Sequence, residues 1–297
     1  MFHKVIVAGI GALGSEVVKN LGLLGCDSVF MADADIIEEK NIAKPGLLRE
    51  NATIGQSKIS CVIDPLRSWF PQTQWNGAPV EIADVEPKQF WEAEMLFSCV
   101  DTDLARTEIA ALATRYKIPI CDAGMGGRSN HVGRVSWFPS TDSVACFACL
   151  LTSRRRAELF SIWESQVHSC WAHEQDERIA WTSTPTMSSI VADLQVKLAI
   201  FPKEHQEEAF SIHLDLDRTA ASQTIQHRRS AECPLHTQVP GVPFPICTRA
   251  ECRTCGGQFS PDQRVGWVRR WGKCSLCGSH DLIIRDSMRN ELVDSIS

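Results

Sequence analysis

A glycine-rich turn near the start of the chain limits the possible folds more strongly than any other feature. Residues 4–8 read KVIVA, and Gly9, Gly11 and Gly14 follow with the spacing G-x-G-x-x-G before a helical stretch. In such turns one glycine permits the sharp bend, one lets the backbone approach a phosphate, and one lets the helix pack closely. The free N–H groups at the helix start favour an anion. The turn therefore predicts a nucleotide-binding βα unit.

Beyond this turn, short β-rich runs alternate with helical stretches as far as about Leu150. The runs read KVIVAG, SVFMAD, PVEIAD, MLFSCV, PICDAG and VSWFP. Such alternation is typical of a mostly parallel sheet with helices on both faces. We therefore predict an α/β fold with a Rossmann-like, doubly wound sheet.

The alternation stops after this region. Residues 152–185 are irregular and charged, which favours a long surface crossing loop with some helix. Ser183-Thr184-Pro185 predicts a helix start, and SIHLDL (211–216) is expected to form the final strand. The residues expected to be largely buried in that helix are Ile190, Leu194, Val196, Leu198 and Phe201.

A proline-rich stretch, TQVPGVPFPI, predicts a linker between two parts of the chain. Residues 1–237 then form the larger domain, which includes the crossing loop. Residues 238–297 form the linker and a small C-terminal module.

The small module carries two C-x-x-C pairs, Cys252/Cys255 and Cys274/Cys277. They are separated by 18 residues, and each is followed by glycine. This spacing is typical of a zinc ribbon. A module of about fifty residues buries too little apolar surface to fold without a crosslink such as a bound metal ion. We expect one Zn²⁺ here, with a folding role.

Charge and hydropathy exclude several classes of function. The net charge of −6 and the pI near 5.9 argue against a polyanion-binding surface. Seven Lys/Arg and six Asp/Glu between residues 251 and 297 favour protein docking over nucleic-acid binding by the module.

No stretch reaches the roughly 20 apolar residues of a membrane span. Thirteen cysteines, many of them paired as C-x-x-C, favour metal binding in a cytoplasmic protein.

Asp33 ends the second β-rich run, where an acidic side chain can accept hydrogen bonds from ribose hydroxyls. This position favours a nucleotide with a free 2′-OH and leaves NAD and ATP as alternatives. An NAD-dependent dehydrogenase would need a substrate domain with groups that handle a hydride. The C-terminal half instead carries the crossing loop and metal-type cysteines.

The sequence that follows resembles the ThiF, MoeB and ubiquitin-activating enzyme superfamily. Residues 32–58, ADADIIEEKNIAKPGLLRENATIGQSK, are similar to its D-x-D, Asn, basic residue and G-x-x-K. CVDTDLAR (99–106) resembles its C-T-D-N-x-x-x-R, and the likeness extends over most of residues 4–236. The matching positions are Asp33, Asp35, Asn41, Lys44, Lys58 and Asp101, with Arg49 as a further cation nearby.

This resemblance implies ATP-dependent adenylation of a carboxylate. Lys44 and Lys58 would neutralise phosphate charge, and Asn41 would orient a phosphate oxygen. Asp101 would hold Mg²⁺, with Asp103 as the second candidate.

Two departures from the family pattern affect the phosphate site. Lys44-Pro45 stands where the family has Arg-Gln. Lysine keeps the positive charge but lacks the guanidinium group that can bind a phosphate through two N–H groups. The sequence also begins at the first strand, whereas many relatives have an N-terminal arm whose arginine reaches the partner's ATP. We therefore expect the clamping arginine to be Arg49, Arg106 or one from another subunit.

The family also implies a second zinc site. It commonly joins two distant cysteine pairs, here matched by Cys146/Cys149 and Cys233/His236. Three thiolates and one imidazole form an ordinary tetrahedral zinc set. The sequence thus predicts two Zn²⁺ sites in addition to ATP and Mg²⁺.

Relatives that transfer the activated carboxylate to sulfur keep their cysteine in the crossing loop. Cys170 lies there, between His168 and His173, which could lower its pKa or exchange a proton. Cys247 is the alternative nucleophile. Four other cysteines are interpreted as small core residues: Cys26, Cys61, Cys99 and Cys121.

The resemblance implies an enzyme that adenylates the C-terminal carboxylate of a small ubiquitin-like (β-grasp) or sulfur-carrier protein and then forms a thioester on Cys170. It implies a homodimer or a partner subunit. A peptide- or tRNA-modifying relative is the main alternative, followed by an NAD-dependent oxidoreductase.

Overall fold

Two compact units make up the chain in the computed structural model. The first comprises Met1–Leu150 and Asp176–Ser230, and the second comprises Leu151–Gln175 and Ala231–Ser297. The structure describes residues 2–39, 53–126, 131–141, 143–159, 184–200, 207–216, 221–233, 235–236, 245–261, 263–264, 268 and 272–289.

The first unit contains an eight-stranded sheet with the order β3-β2-β1-β4-β5-β6-β7-β8. Neighbouring strands from β3 to β5 are parallel, and those from β5 to β8 are antiparallel. The strands are β1 Lys4–Ala8, β2 Ser28–Ala32, β3 Gln74–Ala78, β4 Met95–Ser98, β5 Ile120–Gly126, β6 Val132–Phe138, β7 Phe210–Asp215 and β8 Ala221–Gln226.

Helices cover both faces of this sheet. Val5 and Val7 of β1 belong to the main core cluster, whereas Ile6 and Ala8 are equally buried on the opposite face. The helices are α1 Ala12–Leu23, α2 Lys58–Trp69, α3 Pro87–Trp91, α4 Asp103–Tyr116, α5 Phe147–Leu150 and α6 Pro185–Ile200. α6 packs against α1, β5 and β6, and α4 packs against β4 and β5. This arrangement confirms the predicted α/β fold.

The third strand differs from the sequence prediction. PVEIAD is not extended, because Ile82–Asp84 forms a short 3-10 helix and the strand is Gln74–Ala78, paired with β2. Val80 and Ile82 are both buried, which explains the alternating apolar pattern even though the backbone here is not a strand. Gly77 lets this strand approach α2, since an added Cβ would lie 2.8 Å from Cγ2 of Ile59.

Two further differences concern the end of the first unit. SIHLDL corresponds to β7, but β8 follows it, so β7 is not the last strand. β8 escaped prediction because its side chains from Ser222 to Gln226 are exposed and lack apolar alternation. Helix α6 was predicted, and Oγ1 of Thr184 accepts a hydrogen bond from the backbone N–H of Met187 at 3.3 Å.

The buried face of α6 only partly matches the prediction. Val196 and Leu198 are buried as expected, whereas Ile190 is 38% exposed. Leu194 is partly buried against the core, and Phe201 lies outside the described residues. The buried residues of α6 are Met187, Ser188, Val191, Ala192, Gln195, Val196, Leu198 and Ala199.

The second unit contains a small antiparallel sheet around one central strand. β9 (Pro245–Cys252) pairs with β10 (Gln258–Phe259), β11 (Gln263–Arg264) and β12 (Leu282–Arg289). Its small core contains Cys247, Ala250 and Val268. A core of this size in the described part of the unit is consistent with a folding role for a bound metal ion.

None of the helices in the described part of the chain is both long and apolar enough to cross a bilayer.

The three glycines of the first turn occupy distinct environments. Gly9 has φ +86°, and its N–H donates to the carbonyl of Ala32 at 2.8 Å. An added Cβ on Gly14 would lie 1.9 Å from the carbonyl oxygen of Gly9, whereas nothing lies within 4 Å of one added to Gly11. Gly9 and Gly14 are therefore required by the turn itself, and Gly11 leaves space beside it.

Gly14→Ala should lower the free energy of unfolding by about 3 kcal/mol or more, because the methyl group collides with main chain. Gly11→Ala is the matched control and should change it by no more than about 1 kcal/mol. Urea unfolding of both variants measures the difference. Equal losses would contradict the assigned roles.

Candidate nucleotide site and metal centres

The carboxyl ends of β1, β2 and β4 bring most of the described candidate residues to one edge of the sheet. The glycine turn follows β1, Asp33 and Asp35 follow β2, and Asp101 follows β4. β1 is parallel to both of its neighbours, so the three chain segments leave the sheet side by side. In open α/β sheets this edge is where ligands bind.

Asp33 joins two of these segments. Its Oδ2 accepts a hydrogen bond from the N–H of Ile10 at 2.6 Å, and its Oδ1 accepts one from the N–H of Asp35 at 2.8 Å. Burial raises the pKa of Asp33, while Lys58 and the two N–H groups oppose the rise. Because its oxygens are used in this way and its side chain is only 7% exposed, Asp33 is placed to hold the glycine turn. Asp35, at 71%, is the more accessible carboxylate.

Lys58 brings a buried cation to the same edge. It is the first residue of α2, and its side chain is 9% exposed. Its Nζ donates to Oδ2 of Asp35 at 2.6 Å and lies 4.0 Å from Oδ2 of Asp33. A lysine held between two carboxylates beside a glycine turn is positioned to exchange one of them for a phosphate.

Asp101 is an exposed residue between β4 and α4. The N-cap of α4 is Thr102, whose Oγ1 accepts a hydrogen bond from the N–H of Ala105 at 3.0 Å, so Asp101 is not used as the cap. Asp103, the alternative metal ligand, is the first residue of α4. A carboxylate oxygen at this position suits Mg²⁺.

Arg106, a candidate for the phosphate-clamping arginine, is used elsewhere. Its Nε donates to Oδ1 of Asp122 at 3.0 Å, and its Nη2 donates to the carbonyl of Ala123 at 3.2 Å. Arg134 and Ser98 also donate to the Asp122 carboxylate. The side chain of Asp122 is 2% exposed, so these bonds compensate a buried charge. This network was not predicted from the sequence, where its signal is an Asp within the apolar run PICDAG.

Several candidate residues lie outside the described part of the chain. These are Asn41, Lys44 and Arg49 near the nucleotide site, and His168, Cys170 and His173 in the crossing loop. Their roles stay predictions.

The first predicted zinc set consists of two pairs, Cys146/Cys149 in the first unit and Cys233/His236 in the second. In each pair the N–H of the second residue donates to the carbonyl of the first at 3.0 Å, so both pairs are tight turns. Three thiolates and one imidazole are an ordinary zinc set, so a joint site of the two pairs stays a prediction.

The ribbon cysteines form the second set. The Sγ atoms of Cys252 and Cys277 are 3.6 Å apart, and those of Cys255 and Cys274 are 3.7 Å apart. Each C-x-x-C pair is closed by a glycine with positive φ, Gly256 at +70° and Gly278 at +74°, whose N–H donates to the carbonyl of the first cysteine. The four thiols fit a closed tetrahedral zinc site.

The remaining described cysteines are poor nucleophiles. Cys26, Cys61 and Cys121 are buried, and burial raises the pKa of Cys26 to about 11. Burial also raises the pKa values of Cys99 and Cys121. Cys247, the alternative nucleophile, is fully buried in the core around β9, which does not favour that role.

Comparison with protein families decides the assignment. A family model described as ThiF family matches residues 2–235. The chain belongs to the ThiF family. The matched segment thus includes the nucleotide edge and three residues of the first metal set, Cys146, Cys149 and Cys233.

Curated relatives of this ThiF-family chain are activating enzymes. SUMO-activating enzyme subunit 2 of Dictyostelium discoideum is 25% identical over 148 residues, which are 49% of this chain and 22% of that protein. The NEDD8-activating enzyme E1 catalytic subunit of Saccharomyces cerevisiae is 27% identical over 155 residues, which are 49% of this chain and 50% of that protein. The match thus spans half or less of these relatives.

Solved structures show the same fold. E. coli MccB with succinimide has a TM-score of 0.58 at 16% identity and covers 79% of this chain and 66% of its own. PaaA has a TM-score of 0.53 at 18% identity, and the match covers 75% of this chain and 72% of the PaaA chain. At these identities the likeness shows the ThiF-type fold alone.

Elemental analysis after dialysis should find two zinc ions per chain, because two separate sets of four soft ligands are present. Cys149→Ala and Cys274→Ala should each remove one ion, and Cys61→Ala, a buried cysteine outside both sets, should remove none. A single zinc in the unmodified protein would eliminate one of the two sites.

Proposed function

We propose that this ThiF-family protein is an ATP-dependent adenylyltransferase that activates the C-terminal carboxylate of a small ubiquitin-like or sulfur-carrier protein. The observation that carries the proposal is the buried ammonium of Lys58, held beside the glycine turn at the edge where Asp101 also lies. A cation, a turn with free N–H groups and an exposed carboxylate are the groups that a triphosphate with Mg²⁺ needs. The names of the curated relatives support the same activity.

The residues act on charge and position. The carboxylate attacks the α-phosphorus and pyrophosphate leaves, so negative charge accumulates on the phosphate oxygens. Lys58 would leave Asp35 and donate to these oxygens, and Asp35 would then be available to the ribose hydroxyls. Bound Mg²⁺ would supply Lewis-acid stabilisation of the departing pyrophosphate, with Asp101 as its protein ligand. Asn41, Lys44 and Arg49 would complete the phosphate contacts.

A peptide-modifying activity is the second candidate. The structural neighbours include E. coli MccB in complex with MccA. Both candidates begin by adenylating a carboxylate, so they differ in the polypeptide that enters the site. Pyrophosphate exchange driven by candidate β-grasp proteins or by short peptides separates them.

The nucleotide itself can be tested by thermal unfolding. ATP with Mg²⁺ should raise the unfolding midpoint, because a ligand that binds only the folded state stabilises it. Stabilisation by NAD in place of ATP would favour the oxidoreductase alternative.

The proposed active unit is a homodimer or a complex with a partner subunit. A curated relative is named as one subunit of a SUMO-activating enzyme, which supports the second arrangement. Such a partner would also be a source for the phosphate-clamping arginine, since Arg106 is bound to Asp122.

Asp101→Ala should reduce pyrophosphate exchange by at least about 10²-fold, because it removes the proposed metal ligand. The fold should be retained, since Asp101 is exposed. Asp64→Ala, at a carboxylate 86% exposed on α2, is the control and should keep full exchange. Near-normal exchange in Asp101→Ala would transfer the metal role to Asp103.

Cys170→Ala should leave pyrophosphate exchange unchanged and abolish a thiol-sensitive covalent complex with the carrier protein. A thiolate attacks the acyl adenylate carbonyl and expels AMP, so only the second step needs this sulfur. Non-reducing electrophoresis under turnover detects the complex. Its persistence in Cys170→Ala and loss in Cys247→Ala would assign the thioester to Cys247, and its absence from the unmodified protein would exclude a thioester step.

A further inference from the structure

We infer that Gln195 is a positioning residue for the nucleotide site, acting from the buried face of α6 on the main chain that carries the glycine turn and Asp101. The inference rests on the proposed use of ATP at this edge. Gln195 is fully buried and contacts no ligand position itself. Its role follows from the main-chain groups that it joins.

The side-chain amide of Gln195 joins two strands at the point where they separate. Its Nε2 donates to the carbonyl of Ser98 at 3.2 Å and to the carbonyl of Cys121 at 2.7 Å. Ser98 of β4 and Asp122 of β5 form the last residue pair between these two strands. Both partners are carbonyls, which accept only, so the NH₂ group must face them. One amide thus fixes the distance between two diverging chains.

The same side chain supports the residue beneath the glycine turn. The Sγ of Cys99 donates to Oε1 of Gln195 at 3.6 Å, and the N–H of Cys99 donates to the carbonyl of Ala8 at 2.8 Å. A Cβ added to Gly9 would lie 2.8 Å from the carbonyl oxygen of Cys99. The main chain at Cys99 is therefore fitted between the turn and Gln195.

Displacement of this main chain would move two parts of the site together. Gly9 contacts Cys99 on one side, and Asp101 is only two residues further along the chain. A packed interior transmits such a shift, because there is no free space to absorb it. A buried polar side chain is also costly unless its hydrogen bonds are made, as those of Gln195 are.

Gln195→Met tests the inference, because methionine has a similar shape and has no N–H group to donate to the carbonyls of Ser98 and Cys121. Leu198→Ala, a buried substitution on the same helix without polar contacts, is the matched control for lost stability. Calorimetric titration with ATP and Mg²⁺ should show Kd about tenfold or more higher in Gln195→Met and within about twofold of the unmodified protein in Leu198→Ala. An unchanged Kd in Gln195→Met, or an equal rise in both variants, would overturn the inference.

Amide hydrogen exchange of the free protein provides a readout that does not depend on ATP. Gln195→Met should accelerate exchange at the N–H groups of Gly9 and Cys99, which bond to Ala32 and Ala8, relative to Leu198→Ala. Failure of the unmodified protein to bind ATP would refute the proposed function alone, and unchanged exchange at these two amides would refute the positioning role.

Discussion

The carboxylate of Asp33 is the contact on which the nucleotide edge depends. It accepts backbone N–H bonds from Ile10 in the glycine turn and from Asp35 in the next segment, so two separate turns share one anchor. Burial of this charge is unfavourable, and it is offset by the two N–H groups and by the Lys58 ammonium 4.0 Å away. Asp33 also supports Lys58 indirectly, because Nζ of Lys58 donates to Asp35, whose own N–H donates to Asp33.

A second buried carboxylate organises the neighbouring part of the sheet. Asp122 binds Arg106 from α4, Arg134 from β6 and Ser98 from β4. The sheet changes here from parallel to antiparallel pairing, and these ion pairs connect the two halves. Together with Gln195 on the other side of β4 and β5, they fix the strand ends from both faces. The chain segments that reach the site are thus held by buried polar bonds as well as by apolar packing.

The two metal sets differ in what supports them. In the described part of the ribbon the apolar core cluster contains Cys247, Ala250 and Val268, so four bound thiolates would supply much of its folding free energy. Two residues of the other set, Cys146 and Cys149, lie in the first unit, which has an extensive apolar core of its own. Loss of metal should therefore affect the ribbon more severely.

Sequence by itself determined the α/β fold, the glycine turn and the metal set of the ribbon, because these depend on local periodicity and on short-range ligand spacing. The set with Cys146, Cys149, Cys233 and His236 came from the resemblance to the family, since its two pairs are far apart in the chain. It misplaced β3 and missed β8, since an alternating buried run and an exposed polar strand both give misleading local signals. Only the tertiary structure decided that Asp33 bonds main chain, that Arg106 pairs with Asp122, that Cys247 is buried, and that Gln195 joins β4 to β5. Each of these outcomes depends on which distant side chains meet once the sheet is assembled, and local sequence carries little information about such long-range contacts.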